Sequence, residues 1–370
     1  MMVTFDRVHE LMRQAVADGV FPGGVLLVSR RGDIEFFHPY GISNVFTQKP
    51  VTTQTVFDLA SLTKPLATTP AVMALTSRSL LTLDQPLGDL LKDFDGTDKA
   101  PINVRQLLNH TSGLPDYHPY YIDIRRLPAE KRREAIRLAV CETPLAHPIG
   151  QKVVYSDLGF MILGWVVEAV SGKRLDQFVA EEVYRPLGLN ADGHSGLSFI
   201  DLAAPVRFAD VAATEICPWR QRLLEGTVHD DNAHVMGGIA GHAGLFGNAR
   251  AVHDMVAALW SAHSGRNPAG LFPADLVQVF LQCAKDGGRP LGFDAPSPQG
   301  SSSGCFFSSA TVGHLGFTGT SFWLDLERSI IVVLLSNRVH PHRDNDRIKN
   351  FRPKIHDAVM VSLTAIRSHE

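Results

Sequence analysis

The sequence predicts an α/β protein in which an antiparallel sheet is built from both chain ends and a mainly helical region is inserted between them. Three observations predict this class. Strand-like segments occur near the N-terminus and again near the C-terminus, helical periodicity fills the middle, and each end carries an amphipathic helix. With 370 residues, 45% of them hydrophobic, the chain can bury the core of one large unit or of two closely joined ones.

The N-terminal part predicts one helix and one strand pair. Apolar residues recur at helical spacing from Val8 to Val16. Residues 24–29 and 34–38 then read as strands, and the turn-rich segment Arg30–Asp33 between them suits an antiparallel hairpin. This end of the chain therefore supplies two strands and a terminal helix.

The C-terminal part repeats the same material in reverse order. Residues 311–317, 321–326 and 329–335 read as three strands, and residues 348–363 follow with helical periodicity. Both ends are expected to share one antiparallel sheet, flanked by the two terminal helices. The predicted sheet domain is thus 1–60 together with 265–370.

The predicted helical domain is 61–264, joined by turns rich in Pro and Gly. Its helical segments are Ser61–Ser79, Asn103–Asn109, Ala129–Val140, Leu158–Ser171, Leu175–Tyr184 and Ala249–His263. One stretch outside it, Lys285–Gly304, is rich in Gly, Ser and Pro and predicts an exposed, mobile loop.

Composition limits the partners and the location of the protein. With 35 basic against 38 acidic residues, the net charge of −3 indicates neither a nucleic-acid nor a membrane partner, so a small molecule is expected. We find no secretion signal and no apolar run of the roughly 18–20 residues that span a bilayer, and we expect a cytoplasmic location. Oligomeric state stays open. Four cysteines without a Cys-x-x-Cys pair fit reduced packing residues: Cys141, Cys217, Cys283 and Cys305.

A candidate nucleophile and its partner stand at the predicted start of the helical region. Residues three apart lie on one face of a helix, so Ser61 and Lys64 are expected side by side. A serine needs such a partner to become a good nucleophile. A lysine can be that partner when burial or a neighbouring charge lowers its pKa. Because Ser-x-x-Lys is common by chance, the alternative is an N-cap serine followed by a solvated lysine.

Two later segments add chemistry to this pair. Tyr155 and Asp157 lie just before a strongly apolar helix, on a turn that points side chains outward. His314 and Gly316 lie on or beside a C-terminal strand, where glycine lets another backbone or a ligand approach closely. Each residue alone has an ordinary structural explanation. Their order along the chain is more specific.

The three motifs Ser61–Lys64, Tyr155–Asp157 and His314–Gly316 resemble those of the serine β-lactamase, penicillin-binding protein and esterase superfamily. The resemblance covers nearly the whole chain and implies a β-lactamase-like fold, a split sheet around a helical insert. It also implies a serine hydrolase working through an acyl-enzyme, without a cofactor.

The resemblance implies a role for each motif residue. Ser61 attacks an acyl carbon, while Lys64 and Tyr155 pass the proton. Which of these two is the base is left open. The backbone N–H groups of Ser61 and Phe317 form the oxyanion hole. Gly316 belongs to the substrate-binding strand.

Two departures from the family pattern bear on the substrate. Asp157 stands where the family has asparagine; ionised, it cannot donate to an amide carbonyl, and it is free to pair with Lys64. His314 stands where many members have lysine and is expected to be a weaker cation, dependent on pH near neutrality. Both favour a carboxylesterase or a D-amino-acid-type peptidase. The alternatives are a true β-lactamase and a penicillin- or ligand-binding sensor with little turnover.

The stretch Val228–Gly247 is unusually rich in polar residues around glycines. A metal site is one interpretation, and a zinc hydrolase would be its consequence. No His-Glu-x-x-His pattern is present, so we favour a glycine-rich wall of the cleft and expect no metal. Under the metal interpretation, the candidate ligands would be His229, Asp230, Asp231, Asn232, His234 and His242.

Overall fold

A computed structural model describes residues 4–189, 196–205, 208–267, 269–282 and 289–364. The strands are β1 (Gly23–Arg30), β2 (Asp33–Asn44), β3 (Lys49–Pro50), β4 (Phe57–Asp58), β5 (Ser198–Phe199), β6 (Ala213–Cys217), β7 (Arg222–Glu225), β8 (Leu245–Gly247), β9 (Thr311–Leu315), β10 (Ser321–Asp325) and β11 (Ile330–Ser336).

The α-helices are α1 (Asp6–Ala17), α2 (Thr69–Ser77), α3 (Leu87–Leu90), α4 (Val104–Leu108), α5 (Tyr121–Ile124), α6 (Ala129–Glu142), α7 (Asp157–Ser171), α8 (Leu175–Val179), α9 (Asp231–Val235), α10 (Ala249–His263), α11 (Ala274–Leu281) and α12 (Ile348–Thr364). Among the described residues, no helix has both the length and the apolar composition that crossing a bilayer requires.

The main sheet confirms the predicted architecture. Its six strands run in the order β3-β2-β1-β11-β10-β9, and every neighbouring pair is antiparallel. The two ends of the chain meet at its centre, where Gly24 of β1 lies opposite Ser336 of β11 and Arg30 lies opposite Ile330. Two smaller sheets, β4-β8-β5 and β6-β7, lie in the middle of the chain.

Both faces of the sheet are covered, because alternate residues of its central strands belong to different apolar clusters. One cluster joins Leu26 and Val332 to the terminal helices α1 and α12, including Ile355. The other joins Leu27 and Val333 to the helices of the middle region. A side-chain period of two on strands covered from both sides gives this three-layer arrangement. The helix α10, predicted with the helical region, packs directly on β1, β10 and β11.

The structure corrects two predicted boundaries beside the site. The helix expected from Ser61 is not continuous: a 3-10 turn, Ala60–Leu62, and a π turn, Lys64–Thr68, come before α2. The strand expected to reach Phe317 ends at Leu315. In both places side-chain hydrogen bonds from threonines add to the backbone hydrogen bonds.

The loop predicted at 285–304 is only partly exposed. Residues 285–288, like Cys283, lie outside the described residues. The described part brings Leu291 and Phe293 into the core, and Asp294 forms an isolated antiparallel bridge with Gly313 of β9. The segment therefore joins the edge of the sheet. Of the other cysteines, Cys217 is buried, whereas Cys305 is exposed, which the packing interpretation did not anticipate.

Candidate active site

Ser61 lies in the 3-10 turn Ala60–Leu62 rather than at the start of a regular helix. The spacing of three residues still brings the predicted pair together. Lys64 Nζ donates a hydrogen bond of 3.1 Å to Ser61 Oγ. Thr63 supports the turn, because its hydroxyl donates to the Ala60 carbonyl at 2.6 Å and accepts from the Leu245 amide at 3.1 Å. The turn is thereby tied to β8.

Asp58 fixes the backbone just before Ser61. Its carboxylate accepts hydrogen bonds from the backbone N–H groups of Ala60, at 2.9 Å, and His229, at 2.6 Å. Ala60 has a φ of 48°, a left-handed conformation. That conformation costs a residue with a Cβ about 1–2 kcal/mol. Burial raises the pKa of the Asp58 carboxyl, and the N–H of His229 opposes this. Strain at Ala60 is therefore maintained by a buried carboxylate.

Lys64 is fully buried, and three acceptors surround its ammonium group. Besides Ser61 Oγ, Nζ donates to Asp157 Oδ1 at 2.7 Å and to the His242 carbonyl at 3.1 Å. Burial works to lower the pKa of Lys64, but Asp157 and Tyr155 outweigh it, so this pKa is raised above its ordinary value. At neutral pH the lysine is a cation that holds the serine hydroxyl and has no lone pair to take its proton.

Tyr155 precedes the N-cap of α7, on the turn where the sequence predicts it. Its ring centroid lies 5.0 Å from Lys64 Nζ and 5.3 Å from the guanidinium carbon of Arg289. The rings of His110 and His314 lie 4.7 and 5.8 Å away, centroid to centroid. The Tyr155 ring therefore contacts two cations, Lys64 and Arg289.

His314 is buried on β9, and its Nδ1–H donates to the Leu315 carbonyl at 2.9 Å. Burial first, and then the charges of Lys64 and Arg289, lower the pKa of His314 well below 6.5. The histidine is therefore neutral at pH 7, and the expectation of a pH-dependent cation near neutrality is wrong. Burial disfavours the charged imidazole more than the hydrogen bond to the Leu315 carbonyl favours it.

Arg289 provides the second cation beside the phenol, and sequence reasoning missed it. It forms an ion pair with Asp294 and stacks on the Tyr155 ring. Burial lowers the pKa of Arg289 from its ordinary value, while Tyr155 opposes this. The residue stands in a segment without helical or strand periodicity, so no spacing in the sequence connects it with the motifs.

The turn after β9 contacts the backbone that leads to the nucleophile. Thr318 Oγ1 donates to the Asp58 carbonyl at 2.7 Å, and Thr320 Oγ1 donates to the Leu59 carbonyl at 3.1 Å. A Cβ added to Gly316 would collide with the Thr320 hydroxyl and with the Leu59 carbonyl. Only glycine permits this approach of two backbones. These threonines are further supporting residues that the motif comparison did not identify.

Phe317, which follows Gly316 in the chain, carries the predicted backbone donor of the oxyanion hole. Its backbone N–H, the predicted oxyanion donor, makes no hydrogen bond to any acceptor in the described parts of the chain. The side chain is half-exposed, with its ring stacked on His229 at 5.6 Å and covered by the Arg338 guanidinium at 4.5 Å. The peptide is thus held by its neighbours while its amide hydrogen stays available for a ligand.

A cavity of about 760 Å³ opens onto these residues. Ser61, Tyr155, His314, Gly316 and Phe317 line it, so five predicted residues from three distant segments meet at one opening. Its charged lining is Arg289, Asp294, Arg338, Arg343, Asp344, Asp346, Lys349 and Arg352.

The polar stretch Val228–Gly247 forms a wall behind Lys64. His242, whose carbonyl accepts from Lys64, is held by its ring, which contacts Asp230 Oδ1 at 3.0 Å. Asn232 accepts from the Tyr121 amide at 3.0 Å and donates to the His118 carbonyl at 2.8 Å. The stretch therefore positions both the lysine and a loop on the opposite side.

Two of the three imidazoles of this wall contact protein carboxylates, whereas the His234 ring lies against Trp219. The His229 ring contacts Glu215 at 2.8 Å, and the His242 ring contacts Asp230. Within the ranges that the structure describes, no group of three or more His, Cys, Asp or Glu side chains has the arrangement of a metal site.

Comparisons with known proteins show which family this chain is similar to. The family model for beta-lactamase matches residues 8–352. An Escherichia coli K12 protein, provisionally named D-alanyl-D-alanine carboxypeptidase, is 31% identical over 353 residues, covering 86% of this chain and 79% of its own. The N-acetylmuramyl-L-alanine amidase of Bacillus subtilis is 33% identical over 368 residues, with 90% and 81% covered.

Among solved structures, that of EstCE1, a hydrolase with promiscuous acyltransferase activity, matches with a TM-score of 0.73. It is 24% identical and covers 96% of this chain and 97% of its own, so it shows the fold. A family model that matches nearly the whole chain decides the assignment: this protein belongs to the beta-lactamase family.

Proposed function

We propose that the protein is a serine hydrolase that forms an acyl-enzyme on Ser61. The observation that carries this proposal is the 3.1 Å hydrogen bond from Lys64 Nζ to Ser61 Oγ, a residue that lines the cavity. The Tyr155 ring lies beside the same ammonium. Acyl transfer requires a nucleophile, a charged partner and a proton carrier, and here Lys64 contacts both Ser61 and Tyr155.

We assign the base to Tyr155. The buried ammonium of Lys64 already donates to three acceptors, and its raised pKa keeps it protonated. A phenolate beside two cations is able to accept the Ser61 proton, with Lys64 as its electrostatic partner. The choice that the sequence left open between the two residues is therefore made in favour of the tyrosine.

The proposed reaction has two steps. Ser61 Oγ attacks the acyl carbon, its proton passes to Tyr155, and a tetrahedral oxyanion forms that accepts from the N–H groups of Ser61 and Phe317. The oxyanion collapses, the bond to the leaving group breaks, and the phenol protonates the departing alcohol or amine. Water, deprotonated by the same phenolate, then attacks the ester carbon and forms a second tetrahedral oxyanion. Its collapse breaks the bond to Ser61 Oγ, which takes the proton back from the phenol as the acid leaves.

The proposed substrates are small carboxylic esters or amides of the D-amino-acid type. The names of the two sequence relatives, a provisional D-alanyl-D-alanine carboxypeptidase and an N-acetylmuramyl-L-alanine amidase, support the amide class. Arg289 supports a substrate with a carboxylate, since a guanidinium binds that group in a bidentate manner. Asp157 faces Lys64 instead of offering an amide donor, which disfavours the side-chain carbonyl of a β-lactam.

Intact-mass analysis tests the acyl-enzyme. A fluorophosphonate should add one phosphonyl group per wild-type chain and none to Ser61→Ala. An unmodified wild-type chain would contradict the proposal and favour a ligand-binding module.

A substrate panel then separates the classes within the family. We expect turnover of short-chain nitrophenyl esters or of a D-alanyl-D-alanine-type dipeptide to exceed that of a chromogenic cephalosporin. Fast hydrolysis of the cephalosporin with negligible esterase activity would identify a true β-lactamase. Ser61→Ala is the control for every substrate, because it removes the nucleophile with little change in volume.

A further inference from the structure

Arg352 lies on α12 and reaches the turn after β9. It is buried, and its Nη2 donates to the Gly316 carbonyl at 3.2 Å and to the Thr320 carbonyl at 2.8 Å. Within the described part of the chain, its Nε has no hydrogen-bond partner. Burial and the nearby charge of Arg338 lower the pKa of Arg352 to about 9, so the side chain is still a cation at pH 7.

No carboxylate in the described residues lies within ion-pair distance of Arg352. Two other cations lining the cavity do have such a partner, since Arg289 pairs with Asp294 and Arg343 pairs with Glu215. Arg338 resembles Arg352 in donating to backbone carbonyls, but none of these belongs to the Gly316–Phe317 peptide. Burying a charge without a counter-ion is costly, and a neutral amide would fasten two carbonyls at a smaller cost. Holding the turn after β9 in place therefore does not by itself explain why this residue carries a guanidinium.

The first acceptor of Arg352 explains the charge. The Gly316 carbonyl and the Phe317 N–H belong to the same peptide unit. A cationic donor on the carbonyl polarises the peptide and strengthens its N–H as a donor, by the cooperativity of linked hydrogen bonds. Arg338 contacts the next peptide instead, because its Nε donates to the Phe317 carbonyl at 2.8 Å.

The Gly316–Phe317 peptide is also held in place by the two threonines that follow it. The hydroxyls of Thr318 and Thr320 bind the Asp58 and Leu59 carbonyls, so the turn keeps its place relative to the backbone that leads to Ser61. A donor fixed in advance stabilises developing negative charge without rearrangement during the reaction.

We propose that Arg352 is a positioning residue of the oxyanion hole, which polarises the Gly316–Phe317 peptide and supplies uncompensated positive charge behind the N–H that receives the oxyanion. This inference rests on the proposed function, because it requires a tetrahedral oxyanion formed from Ser61.

Single-turnover acylation by a neutral nitrophenyl ester tests the proposal. Arg352→Gln should lower the acylation rate constant about 10- to 100-fold, less than or equal to the loss of a direct donor, with the ester dissociation constant changed less than threefold. Arg352→Lys keeps the charge but loses the guanidinium group, and its acylation rate constant should lie between those of Arg352→Gln and wild type. Lys354→Gln, which removes an exposed charge two residues along α12, is the matched control and should equal wild type.

A boronic acid supplies a readout that a merely structural role would not move. Ser61 Oγ bonds to its neutral boron, the hydroxyl proton leaves to the base, and an anionic tetrahedral adduct forms. Its dissociation constant should rise in Arg352→Gln by about the factor that the acylation rate falls, while binding of the uncharged ester stays constant.

Three results would overturn the inference: an Arg352→Gln acylation rate within twofold of wild type, equal losses in rate and ester binding, or unchanged boronate affinity. Should Arg352→Gln fail to fold, Arg352→Lys decides, because a slower acylation there with unchanged boronate affinity would show that the residue does not act on the oxyanion. A wild-type chain that forms no acyl-enzyme defeats the proposed function itself, and this inference with it.

Discussion

Lys64 Nζ and Asp157 Oδ1 form an ion pair of 2.7 Å in which the lysine is fully buried and the aspartate side chain is 19% exposed. The carboxylate has two consequences. It keeps the lysine charged against the cost of burial, and it occupies one of the three ammonium hydrogens. Ionised, it offers no donor to an amide carbonyl of a substrate.

Asp157→Asn should therefore improve acylation by β-lactams. An amide at this position provides a donor, and the loss of its charge leaves burial to lower the pKa of Lys64. We expect an increase of about tenfold in the second-order acylation rate constant with a labelled penicillin. Asp344→Asn, an exposed carboxylate on the same cavity, should leave that rate unchanged. A slower Asp157→Asn would instead place Asp157 in the proton relay.

Tyr155→Phe should lower ester turnover about 100- to 10,000-fold, because it removes the proposed proton carrier while the ring keeps its packing. Steady-state hydrolysis of a nitrophenyl ester measures this. Tyr40→Phe serves as the control; its hydroxyl contacts His9 at 2.7 Å, on the sheet face that the terminal helices cover. Turnover of Tyr155→Phe within fivefold of wild type would return the role of base to Lys64.

Arg289→Gln should raise KM about tenfold for substrates with a carboxylate and less than twofold for neutral esters, since a bidentate charge-assisted contact is lost. The comparison needs two esters with the same leaving group, one acid and one neutral. Arg250→Gln removes an exposed guanidinium outside the cavity and should change neither KM. Equal effects of Arg289→Gln on both esters would mean that Arg289 acts on Tyr155 rather than on the substrate.

Ala60→Gly should change the free energy of unfolding by less than about 0.5 kcal/mol, because relief of the left-handed strain offsets the greater freedom of glycine in the unfolded chain. Ala71→Gly, in the regular helix α2, should cost about 1 kcal/mol or more. Urea unfolding of both variants gives the comparison. A larger loss at residue 60 than at residue 71 would show that the strain estimate is wrong.

His356→Asn should make the protein less sensitive to acid. His356 is fully buried, its Nδ1–H donates to the Ser302 carbonyl, and burial lowers its pKa from 6.5 to about 4. Its contribution to stability is complete above pH 6.5 and is lost as the pH falls towards 4, because the unfolded chain takes the proton first. The loss amounts to about 3 kcal/mol.

Urea unfolding at pH 7 and pH 4 measures this loss. The asparagine amide keeps the donor to Ser302, so the pH dependence should shrink in His356→Asn and stay as in wild type in His342→Asn, which alters an exposed histidine. Identical acid sensitivity of wild type and His356→Asn would exclude this histidine as a cause.

The sequence by itself determined the layered fold and the meeting of its two ends. Apolar residues recur with a period of two in strands and of 3.6 in helices, and these are local properties of the sequence. The central strands and the helices α1 and α12 show them because each element buries defined faces. The Ser61–Lys64 contact was also readable, since three residues of tight helical turn bring the two side chains together even where the helix is not regular.

Only the tertiary structure decided the charges and the supports. His314 is neutral because of its burial, and Arg289 enters the site from a segment with no periodicity. Arg352 reaches the Gly316 carbonyl from a helix 36 positions further along the chain. Desolvation and the direction of a single hydrogen bond depend on every element packed around a group, and no local pattern of residues encodes them.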